Sequence, residues 1–238
     1  MNIISKIANK ASDKHGYPVP TLAFLGDSVT QGCFELNVSR DGGICDVFDK
    51  LNVYHSYVNQ IFNTLFPSCP LNIINAGVSG GGTRQAIDRL ERDVLSHNPD
   101  LTVVCLGLND CGSIDVDEYC ENLKTIFTEL QEKGSEVIYM TPNMMNTSVS
   151  QSIKEKPILD IAQIIVERQS NLMDTYMERG KETARECGAT VCDCYSVWKS
   201  LNKGGVNTDE LLANYINHPI REMHWLFAYK LVETMFSE

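Results

Sequence analysis

Five times along the chain a short apolar run is followed by a longer stretch, and this alternation restricts the fold more than any other feature. The runs lie at residues 21–25, 71–74, 101–106, 136–140 and 189–192. In the stretches between them apolar residues recur three and four positions apart, the period of a helix with one buried face. Parallel strands need long crossovers, helices supply them, and such crossovers are nearly always right-handed. The pattern therefore predicts a parallel sheet of five strands with helices on both faces. Residues 101–106, LTVVCL, form a continuous apolar run with adjacent valines, as expected of a central strand covered on both sides.

The helical stretches have readable limits. One spans residues 51–66, with Val53, Tyr57, Val58, Ile61, Phe62 and Leu65 on one face, and is ended by Pro67 and Pro70. The next, 84–97, closes at Asn98-Pro99, and 115–133 is closed by Gly134 as a C-terminal cap. A long stretch at 158–187 is capped by Gly188, with a break expected near Gly180. The last runs from Pro219 to about Phe236, with Met223, Leu226, Phe227, Leu231 and Met235 along its inner stripe. Two connections stand out. Residues 29–50 are polar, carry Gly32, Gly42 and Gly43, show no clean period and exceed the usual length of a strand-to-helix link, so they are expected to wall a site. The loop after residue 140, ending near Pro157, also leaves the carboxyl end of a strand and is the second candidate wall.

Composition narrows the function. No Pro/Gly/Ser-rich linker, composition break or internal repeat divides the 238 residues, so one domain spanning 1–238 is expected. The net charge is −11, from 31 acidic and 20 basic residues without a lysine or arginine run. A nucleic-acid or anionic-membrane partner is disfavoured. The first 20 residues contain no uninterrupted apolar core of a signal peptide, and no run approaches the ~18 residues of a membrane-spanning helix. A soluble, cytoplasmic protein is expected. Nine cysteines, an odd count with no C-x-x-C pair, fit a reducing compartment better than a disulfide framework. His218 and His224 are six apart rather than the four by which helical histidines hold zinc, so no metal and no cofactor is implied. His15, His55 and His97 stand alone and are read as structural, and His224 as a packing residue.

The stretch at 21–32, TLAFLGDSVTQG, delivers Asp27 and Ser28 from an apolar strand into a tight turn at Gly26. Ligands of open parallel sheets bind outside the carboxyl ends of the strands, so Ser28 faces a site. Taken alone, the serine fits two roles, an N-cap for the following helix and a nucleophile.

Three further stretches carry a resemblance. NAGVSGGGT at 75–83, GLND at 107–110 and NHP at 217–219, together with GDSV at 26–29, look like the four blocks of the SGNH hydrolases, the GDSL esterase and lipase family, in the family's order. The resemblance covers most of the chain. It implies a three-layer α/β/α sandwich around a flavodoxin-like sheet. It also implies Ser28 as nucleophile, His218 as base, and the Ser28 backbone N–H, Gly80 N–H and Asn109 side-chain amide as the oxyanion hole. The glycine run at 80–82 could also cradle phosphate, but no G-x-x-x-x-G-K-[ST] sequence is present and Arg84 is the one basic residue beside it.

Two positions depart from the family pattern. Val29 stands where the name-giving motif has leucine. The acidic residue usual three positions before the histidine is absent, that position being Tyr215. Without it the base is oriented by Asn214, Asn217, a backbone carbonyl or the more distant Asp209; Asp27 is set aside because it belongs to the turn at Ser28. The resemblance implies a serine esterase acting through an acyl-enzyme on a small soluble ester, foremost an O-acetyl group on carbohydrate. A lysophospholipase, an acyl-thioesterase and a non-catalytic binding module on the same scaffold are the competing readings.

Overall fold

A computed structural model describes residues 1–237. In chain order the elements are α1 (Asn2–Ser12), β1 (Thr21–Gly26), α2 (Ser28–Gln31), β2 (Cys33–Val38), β3 (Ile44–Phe48), α3 (Tyr54–Leu65), β4 (Asn72–Gly77), α4 (Thr83–Asp93) and β5 (Leu101–Cys105). They continue with α5 (Val116–Glu132), β6 (Glu136–Met140), α6 (Lys156–Arg168), α7 (Asp174–Glu186), β7 (Thr190–Cys192), α8 (Cys194–Lys203) and α9 (Arg221–Phe236).

Five strands form one parallel sheet in the order β4-β1-β5-β6-β7. Renumbered among themselves they run 2-1-3-4-5, the flavodoxin-like order. The LTVVC strand is central, and all five of its residues are buried. Helices α1, α3, α8 and α9 pack together on one side, while α4, α5 and α7 pack together on the other. Apolar residues from the sheet and both helical layers merge into one core around Phe24, Val103, Phe127, Ile138 and Phe227. Asp115 caps α5 by accepting from the Asp117 N–H at 2.8 Å, satisfying one of the donors a helix start leaves unpaired.

Register decides where the site lies. Gly26 at the end of β1 pairs with Gly77 on β4 and Cys105 on β5, so three neighbouring strands end at one level. The turns bearing Ser28, Gly80 and Asn109 therefore leave the sheet side by side.

The structure corrects several sequence expectations. Residues 29–50 are not an irregular loop: they hold the short helix α2 and an antiparallel β2–β3 hairpin with a register shift between Cys33 and Leu36. The irregularity and polar, half-exposed faces erase the simple alternation by which a strand is recognised. Helices α1 and α8 lie outside the stretches that the periodicity predicts as helical. The stretch at 84–97 divides into α4 and a 3₁₀ turn, Leu95–His97. The buried stripe of α9 runs through His224, Phe227, Ala228, Leu231 and Met235, so Met223 and Leu226 lie at its edge.

The break in the long helix is not at Gly180. It is a π-helical turn at Gln169–Met173, where the Gln169 side chain accepts from the Met145 N–H (2.7 Å) and donates to the Tyr195 hydroxyl (2.7 Å). Gly180 lies inside α7, and its missing side chain is a packing requirement. A Cβ there would sit 2.6 Å from the Tyr139 hydroxyl, which is itself 2.6 Å from the Tyr119 hydroxyl in the core. Helix propensity favours alanine over glycine by about 1 kcal/mol, but overpacking against two buried rings costs about 1–3 kcal/mol. Gly180→Ala is therefore expected to lower the thermal midpoint, measured by circular dichroism, and not to raise it as a solvent-facing glycine replacement would.

Candidate active site

Asp27 and Ser28 divide the two roles that sequence left open for the serine. The Asp27 carboxylate accepts from the Val29 N–H at 2.9 Å and caps α2. Ser28 is the first residue of that helix, so its hydroxyl is free of capping. Tight packing holds the turn in place: a Cβ on Gly77 would stand 2.2 Å from the Gln31 backbone nitrogen. Burial pushes the Asp27 carboxyl up to about 7, assisted by the nearby charge of Asp110.

Ser28 Oγ lies 2.9 Å from His218 Nε2 across 190 residues of sequence. Both side chains are buried, each 4 % exposed. On the other edge of the ring, Nδ1 is 3.0 Å from the carbonyl oxygen of Phe34. A carbonyl can only accept, so the ring proton is on Nδ1 and Nε2 presents a lone pair to the serine hydroxyl. Among the orienting groups open at the sequence level, the backbone carbonyl holds this place, and it comes from the first strand of the hairpin in the expected wall. The sequence gives no sign of it, because every residue has a carbonyl.

The other candidates serve different ends. The Asn214 Oδ1 accepts the backbone N–H groups of Ile216, Asn217 and His218 at 3.0, 2.9 and 2.9 Å, and its amide donates to the Asn217 side chain at 2.9 Å. It brackets the loop that carries the histidine without touching the ring. Asp209 is turned elsewhere, accepting from the Thr147 N–H (2.7 Å) and from the Ser148 N–H (2.9 Å) and hydroxyl (2.7 Å). These bonds fasten the loop after β6, which in turn donates from Asn143 Nδ2 to the Asn217 carbonyl (2.9 Å) and from the Asn146 N–H to the Ile216 carbonyl (2.7 Å). Asn143 and Phe34 are support residues that sequence reasoning missed.

The last helix does not open at Pro219, so its end does not lie at His218. α9 begins at Arg221 with Ile220 as its cap, and Pro219 forms an isolated bridge with Leu212 instead of opening the helix. Burial instead lowers the His218 pKa below the ordinary histidine value. His224 is fully buried, accepts the Tyr54 N–H at 3.1 Å and packs against Phe34, as a core residue.

Gly80 has φ +74, a conformation that favours glycine, and a Cβ there would meet no heavy atom within 4 Å. Its turn faces open space. Asn109 Nδ2 donates to the Gly81 carbonyl at 3.0 Å, which ties the two turns and leaves the second amide proton for a ligand. Below them the Asp110 carboxylate accepts from the Thr83 N–H (2.8 Å) and hydroxyl (2.7 Å), clamping the same pair of turns. A cavity of about 190 Å³ opens against Gly80 and Asn109, with Gln85 and Ser113 among its polar walls. Among the described residues no group of three His, Cys, Asp or Glu side chains is placed to hold a metal ion.

Comparisons with known proteins agree with this architecture. An acetylxylan esterase of Geobacillus stearothermophilus is 28% identical over 133 residues, which span 51% of this chain and 58% of that curated relative. A crystal structure of an acetylxylan esterase from the same organism superposes with a TM-score of 0.68 at 21% identity, covering 92% of this chain and 95% of that one. An alpha/beta hydrolase from the metagenome of Lake Arreo, Spain, gives 0.67 at 18% identity over 90% and 94%. These structures share the fold. Catalytic mutants of the acetylxylan esterase replace a serine, an aspartate and a histidine. The sequence pattern of the GDSL-like lipase/acylhydrolase family matches residues 24–226, from within β1 to within α9 and through all four motif blocks, and the chain belongs to that family.

Proposed function

We propose that this protein is a serine esterase that removes acetyl groups from carbohydrate through an acyl-enzyme. The observation that carries the proposal is the 2.9 Å contact between Ser28 Oγ and an Nε2 whose lone pair is fixed by the Phe34 carbonyl. As Oγ attacks the ester carbonyl carbon, its proton passes to His218 Nε2. The carbonyl π electrons move onto oxygen, and that oxyanion is met by the Ser28 N–H, the Gly80 N–H and the free Asn109 amide proton. Collapse of the intermediate breaks the bond to the sugar oxygen, which takes the proton from Nε2 and leaves acetyl on Ser28. Water then repeats the sequence, giving acetate and free serine. The resemblance to acetylxylan esterases supports both a short acyl group and the carbohydrate alcohol.

A fluorophosphonate tests the nucleophile. Labelling should fall on the peptide containing Ser28, vanish in Ser28→Ala, and drop about 10³-fold in rate in His218→Ala, the scale of losing a member of a catalytic triad. Asp209→Asn should cost only a few-fold, because that carboxylate bonds the loop at 147–148 and not the ring. Label retained in Ser28→Ala would refute the assignment.

Asn109→Ala should lower kcat for p-nitrophenyl acetate by about 10² to 10³ while KM changes little, the signature of a donor used in the transition state. A raised KM with unchanged kcat would instead make Asn109 a residue that binds the ground state.

The pH dependence follows from the lowered His218 pKa. The proton-accepting, neutral imidazole is the major form at every pH above that value, so the acid limb of kcat/KM should lie below about 6.5, the ordinary histidine value. In the same window the unfolded chain binds more protons at this residue than the native one, so His218 also makes stability fall as pH falls. The profile is therefore to be measured on protein shown to be folded at each pH, and an acid limb above 7 would contradict the assignment.

A further inference from the structure

We infer that the cavity between the β2–β3 hairpin and the loop carrying His218 is the subsite for a sugar ring, and that Tyr215 is its recognition surface. The inference rests on the esterase reading for the catalytic use of the subsite, but not for its occupancy. The cavity measures about 230 Å³ and is walled by Glu35 and Asn37 of the hairpin, Ser152 and Glu155 of the loop after β6, and Asn214 and Tyr215. These are the segments that hold the histidine. Glu35 follows the residue whose carbonyl fixes Nδ1, and Asn214 accepts the His218 N–H. The cavity thus adjoins the segments that support the base, on the side of Glu35 and Asn214.

The lining matches a polyhydroxylated ring. Sugar hydroxyls both donate and accept; carboxylates accept, and amides do both. Glu35 is held in one orientation by Arg221, at 2.6 and 3.2 Å, and this pairing lowers its pKa so that it stays an ionised acceptor. Ile153 and Ile158 add apolar surface for the C–H face of a ring. A fatty chain in the same place would strip water from Glu35, Asn37, Ser152 and Glu155 and return no hydrogen bond to them.

The backbone at Tyr215 is the second, independent observation. Its φ is +57, and among the described residues Asn98 is the one other non-glycine with positive φ. Asparagine tolerates that region, whereas for an aromatic residue it is an outlier, and strain of this kind concentrates at functional positions. The turn itself is held by backbone and Asn214 bonds, including Tyr215 N–H to the Leu212 carbonyl at 3.0 Å. Those bonds need a left-handed residue at 215 and none of them uses the phenol ring, which packs partly against the core and otherwise lines the cavity. The part of this half-buried ring that lines the cavity is the aromatic surface assigned to the sugar.

Tyr215→Asn separates the two demands, since asparagine adopts the left-handed conformation cheaply and removes the ring. The thermal midpoint is expected to change little, relief of the left-handed strain offsetting the packing lost with the ring. The ratio of kcat/KM for acetylated xylotriose to that for p-nitrophenyl acetate should fall about 10-fold or more, through KM, as a binding contact is lost. Xylotriose without acetyl groups, titrated into Ser28→Ala protein and followed by NMR, should bind and should bind correspondingly more weakly when Tyr215→Asn is added. An unchanged ratio, equal loss on both substrates, or no binding of xylotriose would overturn the subsite. If the wild type deacetylates no saccharide while xylotriose still binds in a Tyr215-dependent way, the subsite stands and the proposed reaction does not.

Discussion

The hydrogen bond from His218 Nδ1 to the Phe34 carbonyl is the constraint around which this protein is arranged. A neutral imidazole has one proton to place, and the carbonyl claims it for Nδ1. Only then can Nε2 accept the hydroxyl proton of Ser28. The geometry asks that three distant parts of the chain meet: the end of β1, the first strand of the hairpin, and the loop before α9. Each is fixed by an independent means. Packing of Gly77 on Gln31 sets α2, the Arg221 bonds to Glu35 and Asp49 pin the hairpin to the start of α9, and the Asn214 bracket sets the histidine loop.

A carbonyl and a carboxylate differ as orienters. Both fix the tautomer, but a carbonyl contributes only a dipole when the ring becomes positively charged, whereas a carboxylate contributes a full opposite charge. The ring here is buried, where charging it is costly, and Asp46 and Glu35 lie close enough to act on it in the opposite sense, though burial outweighs them. In the proposed reaction, stabilisation of the imidazolium would fall on the acidic surroundings, Asp46 and Glu35. In that reading a fixed oxyanion hole gains in importance, and the two turns that would form it are cross-tied by Asn109 to Gly81 and by Asp110 to Thr83.

Much of the frame was legible in the residues. The five apolar runs became the five parallel strands, because a strand buried on both faces has no room for polar residues and its crossover helices must be amphipathic. The placement of Ser28, Gly80 and Asn109 at strand ends followed from the same pattern. Elements governed by long-range contact were not legible. The hairpin at 33–48 lacks a clean alternation, α1 and α8 lie outside the predicted stretches, and the break in the long helix sits at Gln169, whose side chain ties two other segments, not at Gly180, whose missing Cβ makes room for Tyr139.

By itself, then, the sequence determined the five-stranded parallel sheet, through local period, and named the candidate reacting groups, through motif blocks that resemble a known family. Tertiary structure alone decided how the base is held. Asn214, Asn217, Asp209 and any backbone carbonyl were chemically competent orienters, and no spacing rule separates them. The choice fell to Phe34 because folding of the hairpin against the histidine loop brings that carbonyl within 3.0 Å of Nδ1, while Asp209 is already bound to the N–H groups of Thr147 and Ser148. A backbone acceptor has no side chain to announce it, so its partner is fixed only when the chain has closed around it.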